Sequence, residues 1–209
     1  MLMAMQQFKI AFDKAKEITA LLSSQGKDAS FIPLEDIIDA VKSAANYAEV
    51  YVTRQSFAAL AISDKGKNDY KQSFGAMLST STNENGDKIA HLIVNSDYSA
   101  DMQRFSVVHE LGHLITEVPN FVYETPDDGK FTVSAHVNPD ITYISEEKCK
   151  KNKYLIAEQI ANIFALLVLI PKDIKIRDIV DNGLSVLTKR YGVTEDAIYS
   201  RMLLSNVTY

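Results

Sequence analysis

The chain holds one cysteine, Cys149, among 209 residues, so no intramolecular disulfide can form. That usage fits a reducing compartment. The first residues, Met1-Leu-Met-Ala-Met-Gln-Gln-Phe-Lys9, lack a basic stretch followed by an apolar core, so no signal peptide is expected. The most apolar run, Ile163 to Ile170, is far shorter than the roughly 20 residues that span a bilayer and reads as a buried core helix. A cytoplasmic location follows as the expectation. Without secretion, the sequon Asn206-Val-Thr208 is a chance match.

Basic excess is also absent. The 22 Lys and Arg stand against 27 Asp and Glu, for a formal net charge of -5. Proteins that hold nucleic acid by neutralising phosphates carry a basic face, so the balance argues against a dedicated DNA-binding protein. There is no repeat, low-complexity stretch or flexible linker. Hydrophobic residues make up 46% and charged residues 23%, ordinary values for a globular chain whose core needs no staples.

Apolar periodicity supplies the elements. Phe8, Ala11, Phe12, Ala15, Ile18 and Leu22 recur near the helical period, and Gly26 stops that helix. Pro33 opens a second, from Leu34 to Ala45. Ala48–Thr53, Phe74–Ser81 and Ile89–Val94 read as strands, the last after an Asn85-Gly86-Asp87 turn. Ser99 and Asp101 are good N-caps for a helix reaching Thr116. Phe105, Val107, Val108, Leu111, Leu114 and Ile115 surround it, so it is buried on nearly all sides. Phe131–Val137 alternates like a strand after an Asp127-Asp128-Gly129 turn; Tyr154–Leu169 is a helix ended by Pro171; 174–204 reads as two or three short helices. The expectation is an α+β fold: a small antiparallel sheet, a central helix, a second helix behind it, and helical ends. Its segments are 1–47 (N-terminal helices), 48–171 (core) and 172–209 (C-terminal helices packed on the core).

Histidine is scarce, four residues in all, and two of them fall in His109-Glu110-Leu111-Gly112-His113. This is the HExxH pattern. Residues four apart stack on one helix face, so two imidazoles can share one zinc, and Glu110 lies beside them as a catalytic base rather than a ligand. A catalytic zinc needs a third protein ligand and an open position. The remaining histidines are His91 and His136. Among carboxylates Glu158 stands out, inside an otherwise apolar helix where an unpaired charge is costly. Asn162, four residues on, can hydrogen-bond a ligand histidine and orient it.

Gln103-Arg104-Phe105 leading into His109–His113, then Glu158-Gln-Ile-Ala161-Asn162-Ile-Phe164-Ala165, Leu166-Leu167 and Ile170-Pro171, resemble the ImmA/IrrE family of zinc metallopeptidases. Ile93-Val-Asn95-Ser96 and the ending Leu187-Thr-Lys-Arg-Tyr191-Gly-Val193-Thr-Glu-Asp-Ala197-Ile with Arg201 also fit, so the likeness runs from about Ala48 to Leu204. The resemblance implies His109, His113 and Glu158 as zinc ligands. It also implies a cytoplasmic endopeptidase that cleaves helix-turn-helix repressors of prophages, mobile elements or damage-response genes, an anti-repressor or stress regulator. The interval between His113 and Glu158 is longer than in typical members. Its extra 120–153 material reads as a substrate-binding hairpin, a lid or an occluding segment, and no separate sensing domain is visible.

His136, Tyr123 and Tyr143 are candidates to stabilise an oxyanion. Cys149, among Lys148, Lys150, Lys151 and Lys153, reads as an inert exposed thiol. The stretch around Tyr191-Gly192-Val193-Thr194 has a helix-turn-helix look, but 172–209 carries six basic and five acidic side chains, too even a balance for phosphate-driven binding. Two rival functions stand beside the peptidase: a catalytically silent repressor-binding module that retains zinc, and a DNA-binding regulator using Lys189 and Arg190.

Overall fold

The computed structural model describes residues 2–27, 31–57, 75–116, 122–124, 130–133 and 153–205; for 2–7, 122–124, 130–133 and 153–155 it describes the backbone alone. In chain order the elements are α1 (Leu2–Ser24), α2 (Leu34–Ala44), β1 (Glu49–Gln55), β2 (Ala76–Thr82), β3 (Lys88–Asn95), α3 (Ala100–Thr116), β4 (Val122–Glu124), β5 (Lys130–Val133), α4 (Lys153–Leu169), α5 (Ile176–Asn182), α6 (Leu184–Tyr191) and α7 (Glu195–Ser205). The class is α+β, as the periodicity predicts. Among the described residues no helix is long and apolar enough to cross a membrane.

The N-terminal helices form for local reasons and stay for tertiary ones. Ala11, Ala15, Ile18 and Leu22 line one side of α1 and are buried. Gly26 (φ 71°) ends the helix in a left-handed turn, with the Gly26 and Lys27 amides bonded back to Ser23 and Leu22. In α2, Pro33 sits at the N-cap, Glu35 and Asp36 occupy the first turn and Lys42 the last, charges that suit the helix dipole. The buried residues of α1 and α2 join those of the sheet, α3, α4 and the C-terminal helices in one apolar cluster.

The five strands run in the order β1-β3-β2-β5-β4. β2 and β3 form an antiparallel hairpin. Its turn is held by Asn83, whose Oδ1 accepts the Asn85 and Asp87 amides, and by Gly86 at φ 85°. Ala90, Leu92 and Val94 of β3 and Ala76 and Leu78 of β2 are buried on one face, against which α3 packs. The sheet differs from the antiparallel expectation in one pair: β1 lies parallel to β3. Alternation tells which residues share a face but not the direction of the neighbouring strand, so the pattern could not reveal this. Of the expected strand 131–137, the structure describes Lys130–Val133, paired antiparallel to both β2 and β4. The Asp127–Gly129 turn lies outside the described residues.

α3 starts where the cap signal places it: Ser99 Oγ accepts the Met102 amide and its carbonyl the Gln103 amide. Every residue from Arg104 to Thr116 is buried. Arg104 ties this helix to both ends of the chain. Its guanidinium lies over the Phe31 ring, 4.4 Å from the centroid, and donates to the Ile32 carbonyl. Gly192, the left-handed cap of α6 (φ 61°, ψ 50°), packs against Phe31 and Arg104. Arg201 performs a similar service for α7: almost fully buried, it donates to the Ile170 carbonyl at 2.9 Å and to Asp173 at 2.8 Å.

Gly192→Ala tests this junction. A Cβ there would stand 2.5 Å from the Phe31 ring, on a backbone that L-residues rarely adopt. The expected cost is about 1–2 kcal/mol from the backbone alone, read as a lower urea midpoint with an unchanged slope.

Candidate metal centre

The site is built by two helices that touch backbone to backbone. Gly112 of α3 faces Ala161 of α4; a Cβ on Gly112 would lie 3.1 Å from the Ala161 Cα and 3.2 Å from its carbonyl oxygen. His109 and His113 stand one turn apart on α3, and Glu158 and Asn162 one turn apart on α4. The close approach turns these two pairs towards each other across the contact.

All four side chains are buried, with His109 fully enclosed and Glu158 at 6% exposure. Asn162 Oδ1 lies 2.8 Å from His109 Nδ1. A carbonyl oxygen only accepts, so Nδ1 carries the proton and His109 turns the lone pair of Nε2 inward. That Nε2 is 3.0 Å from His113 Nε2 and 3.2 Å from Glu158 Oε2, while His113 Nε2 is 3.4 Å from Glu158 Oε1. One ligand atom from each of His109, His113 and Glu158 can be chosen so that all lie within 4.8 Å of one another.

The donor chemistry asks for a cation. The distances to Glu158 are those of an ion pair, yet among the described residues neither carboxylate oxygen has a hydrogen-bond partner. Two imidazole nitrogens and two carboxylate oxygens thus converge, electron-rich and shielded from water, with no directional bond among them to the carboxylate. Leaving such a group uncompensated in the interior is expensive. A metal ion bound by two neutral imidazoles and a carboxylate satisfies all of them at once. These three residues can hold a metal ion, and the tautomer set by Asn162 is the one a ligand needs.

The proton equilibria lean the same way. Burial by itself would push the Glu158 carboxyl up, but His109 and His113 overcome it and hold it at about 2. Of their two effects, hydrogen bonding and charge, the geometry supports the charge. Burial would likewise lower His109, yet Glu158, then Glu110 and Asn162, carry it above its usual value. Both shifts say that this pocket favours positive charge beside Glu158.

The remaining candidates divide. Glu110 is fully enclosed on the same helix turn as His109 and its charge acts on that ring. His91 does not join the cluster: it is exposed on β3 and stacks on Tyr51, with ring centroids 5.1 Å apart. The side chain of Tyr123 is not described, only its place in β4. His136, Tyr143 and Cys149 lie outside the described residues, as does most of 120–153. Sequence reasoning missed the contact between Gly112 and Ala161. A signal was available, because glycine inside a buried helix costs stability unless something needs the space.

Gly112→Ala is expected to push α3 and α4 apart, lowering stability by about 1–3 kcal/mol and weakening zinc affinity measured by competition with a chromophoric chelator. The pH dependence of chelator-treated protein is a second check. Glu158, depressed from 4.5 to about 2, contributes stability that is present above pH 4.5 and lost as pH falls towards 2. His109, raised from 6.5, contributes stability that is present below pH 6.5 and lost as pH rises through its folded value. The melting temperature of chelated protein should therefore gain most from this pair between about pH 4.5 and 6.5, and added zinc should remove the alkaline loss. A chelated protein whose site variants show the same pH profile would contradict the assignment. Comparison with known proteins returned no matching family model, no matching curated protein and no matching solved structure.

Proposed function

We propose that this chain is a zinc-dependent endopeptidase of the ImmA/IrrE type that cleaves a helix-turn-helix transcriptional repressor. The observation that carries the reading is the buried convergence of His109, His113 and Glu158 with Glu110 beside the first ligand. Two imidazoles and one carboxylate suit zinc, whereas calcium and magnesium favour all-oxygen sites. Bound zinc supplies a Lewis acid that polarises a carbonyl and acidifies water.

The chain's own residues do the rest. Glu110, one residue from His109, is the general base: it takes the proton from the attacking water and can return it to the leaving amine. Asn162 holds His109 in one tautomer and one ring orientation. Glu158 balances charge, and its burial keeps bulk water from screening that charge. The packed contact of Gly112 with Ala161 keeps the ligand pairs in register. The substrate class rests on the sequence resemblance, and with it the cytoplasmic anti-repressor role.

One observation favours a second reading. His113 and Glu158 are only 4% and 6% exposed, which suits a metal that stabilises a repressor-binding module without cutting anything. Changing Glu110 separates the two, because that residue serves the reaction and not the ligand set.

Metal analysis of purified protein should find about one zinc per chain, lost in His113→Ala and in Glu158→Ala. Glu110→Gln should keep the zinc and lower cleavage of a co-purified repressor encoded beside this gene by about a hundredfold or more. Repressor release that survives Glu110→Gln selects the binding module. Zinc retained by Glu158→Ala removes that ligand and directs attention to His136. A folded wild type that takes up no zinc overturns the peptidase reading.

A further inference from the structure

Five of the seven large apolar side chains that stand exposed among the described residues lie between Ile176 and Leu203. Ile176 is 69% and Val180 76% exposed, one turn apart on α5, a helix that buries none of its residues. Tyr199 and Leu203 stand out from α7 at 45% and 56%, again one turn apart. Singly exposed apolar residues need no explanation, but a cluster at helical spacing marks a surface that works against a partner.

The shape of this region narrows the partner. α6, the three residues Gly192-Val193-Thr194 and α7 form a helix-turn-helix corner, with Leu187, Tyr191, Val193 and Ile198 buried inside it. In DNA-binding proteins the second helix of such a corner lies in the major groove against a polyanion. Here the outward positions of α7 are Glu195, Asp196, Tyr199 and Leu203. Its one cation, Arg201, is buried and donates to Ile170 and Asp173. The exposed side of α7 thus carries two carboxylates, no cation and an apolar stripe. Phosphate is repelled by such a face; a cationic, apolar surface is complementary to it. Beside the stripe, a cavity of about 330 Å³ opens between the start of α5 and the end of α7, lined by Ile176, Met202, Ser205, Asp173, Lys175 and Arg177. That space admits one large apolar anchor side chain. α5 is close to neutral, with Arg177 paired to Asp181 and Asp178 accepting the Lys175 amide, and α6 exposes Lys189 and Arg190 in its last turn, so the acidic preference is confined to the outward face of α7.

We infer that the outward face of α7, with the exposed apolar residues of α5 across the cavity, forms a docking surface for a cationic amphipathic helix of a protein partner, with apolar residues on the Tyr199–Leu203 stripe and Lys or Arg against Glu195 and Asp196. The inference stands apart from the metal chemistry, and its failure would leave that reading untouched.

The probe is a fluorescein-labelled peptide of about 18 residues, leucine on one helical face and lysine on the other, titrated with the full chain and read by anisotropy. A peptide with glutamate in place of lysine is the charge control. The lysine peptide should bind, and the glutamate peptide at least about tenfold more weakly. Glu195→Lys combined with Asp196→Lys should weaken the lysine peptide by about tenfold, and Leu203→Asp should abolish binding, both with melting temperatures near wild type. The charge pair keeps the test valid if Leu203→Asp fails to fold. Equal affinity for both peptides, or binding indifferent to these variants, overturns the inference. So does tight binding of duplex DNA that is lost when Lys189 and Arg190 become Glu, which would return the corner to DNA recognition. Self-association by sedimentation that disappears in Leu203→Asp overturns it too, since a second copy would then be the occupant.

Discussion

The contact between Gly112 and Ala161 is the constraint on which the site depends. Two helices whose backbones touch can bring short functional groups from both within a few ångströms and shut out water in the same act. The usual separation of packed helices would leave room for larger side chains between them. At this crossing the two smallest residues available meet, and the histidine pair and the glutamate–asparagine pair lie across them. The burial of α3 from Arg104 to Thr116 follows from the same arrangement: the sheet covers one side, α4 another, and α2 and the C-terminal corner lean on Arg104.

Enclosure makes the electrostatics decisive. In water a carboxylate beside two imidazoles would cost little and mean little. In a dry pocket the same groups are stable only with positive charge among them, supplied by a proton or by a metal. Asn162 removes one option for His109 by holding the proton on its outer nitrogen, so the inner lone pair is available to a metal. Among the described residues His113 has no such support, its buried Nδ1 finding no hydrogen-bond partner there. Among the described residues the two candidate ligand histidines are therefore unequal, His109 pre-oriented by Asn162 and His113 without such a bond.

A good part of this was legible in the residues. His109 and His113 at a spacing of four, inside a segment apolar on nearly all sides, place two candidate ligands and their burial without any knowledge of the fold, because the helix period alone determines both. Glu158 was legible by a different argument, the cost of a charge inside an apolar helix, and Asn162 followed from its position one turn on. His91 and His136 remained open as ligands because composition cannot say where a strand lies; β3 carries His91 outward to Tyr51, away from the pocket. The parallel pairing of β1 with β3 was not legible, since alternation is the same for both directions. Nor was the sign of the outward face of α7: the segment's overall charge is nearly even, and only the burial of Arg201 leaves α7 acidic outside.

The sequence by itself determined the elements, the paired histidines, the neighbouring glutamate and the absence of an overall basic excess, because these depend on local period and residue chemistry. Tertiary structure decided that Glu158 meets those histidines while His91 does not, which nitrogen of His109 faces inward, and which charges of the last helices reach solvent. Those outcomes depend on how close two helices come and which side of each is covered, and the contacts that settle it join residues some fifty positions apart, such as His109 and Asn162.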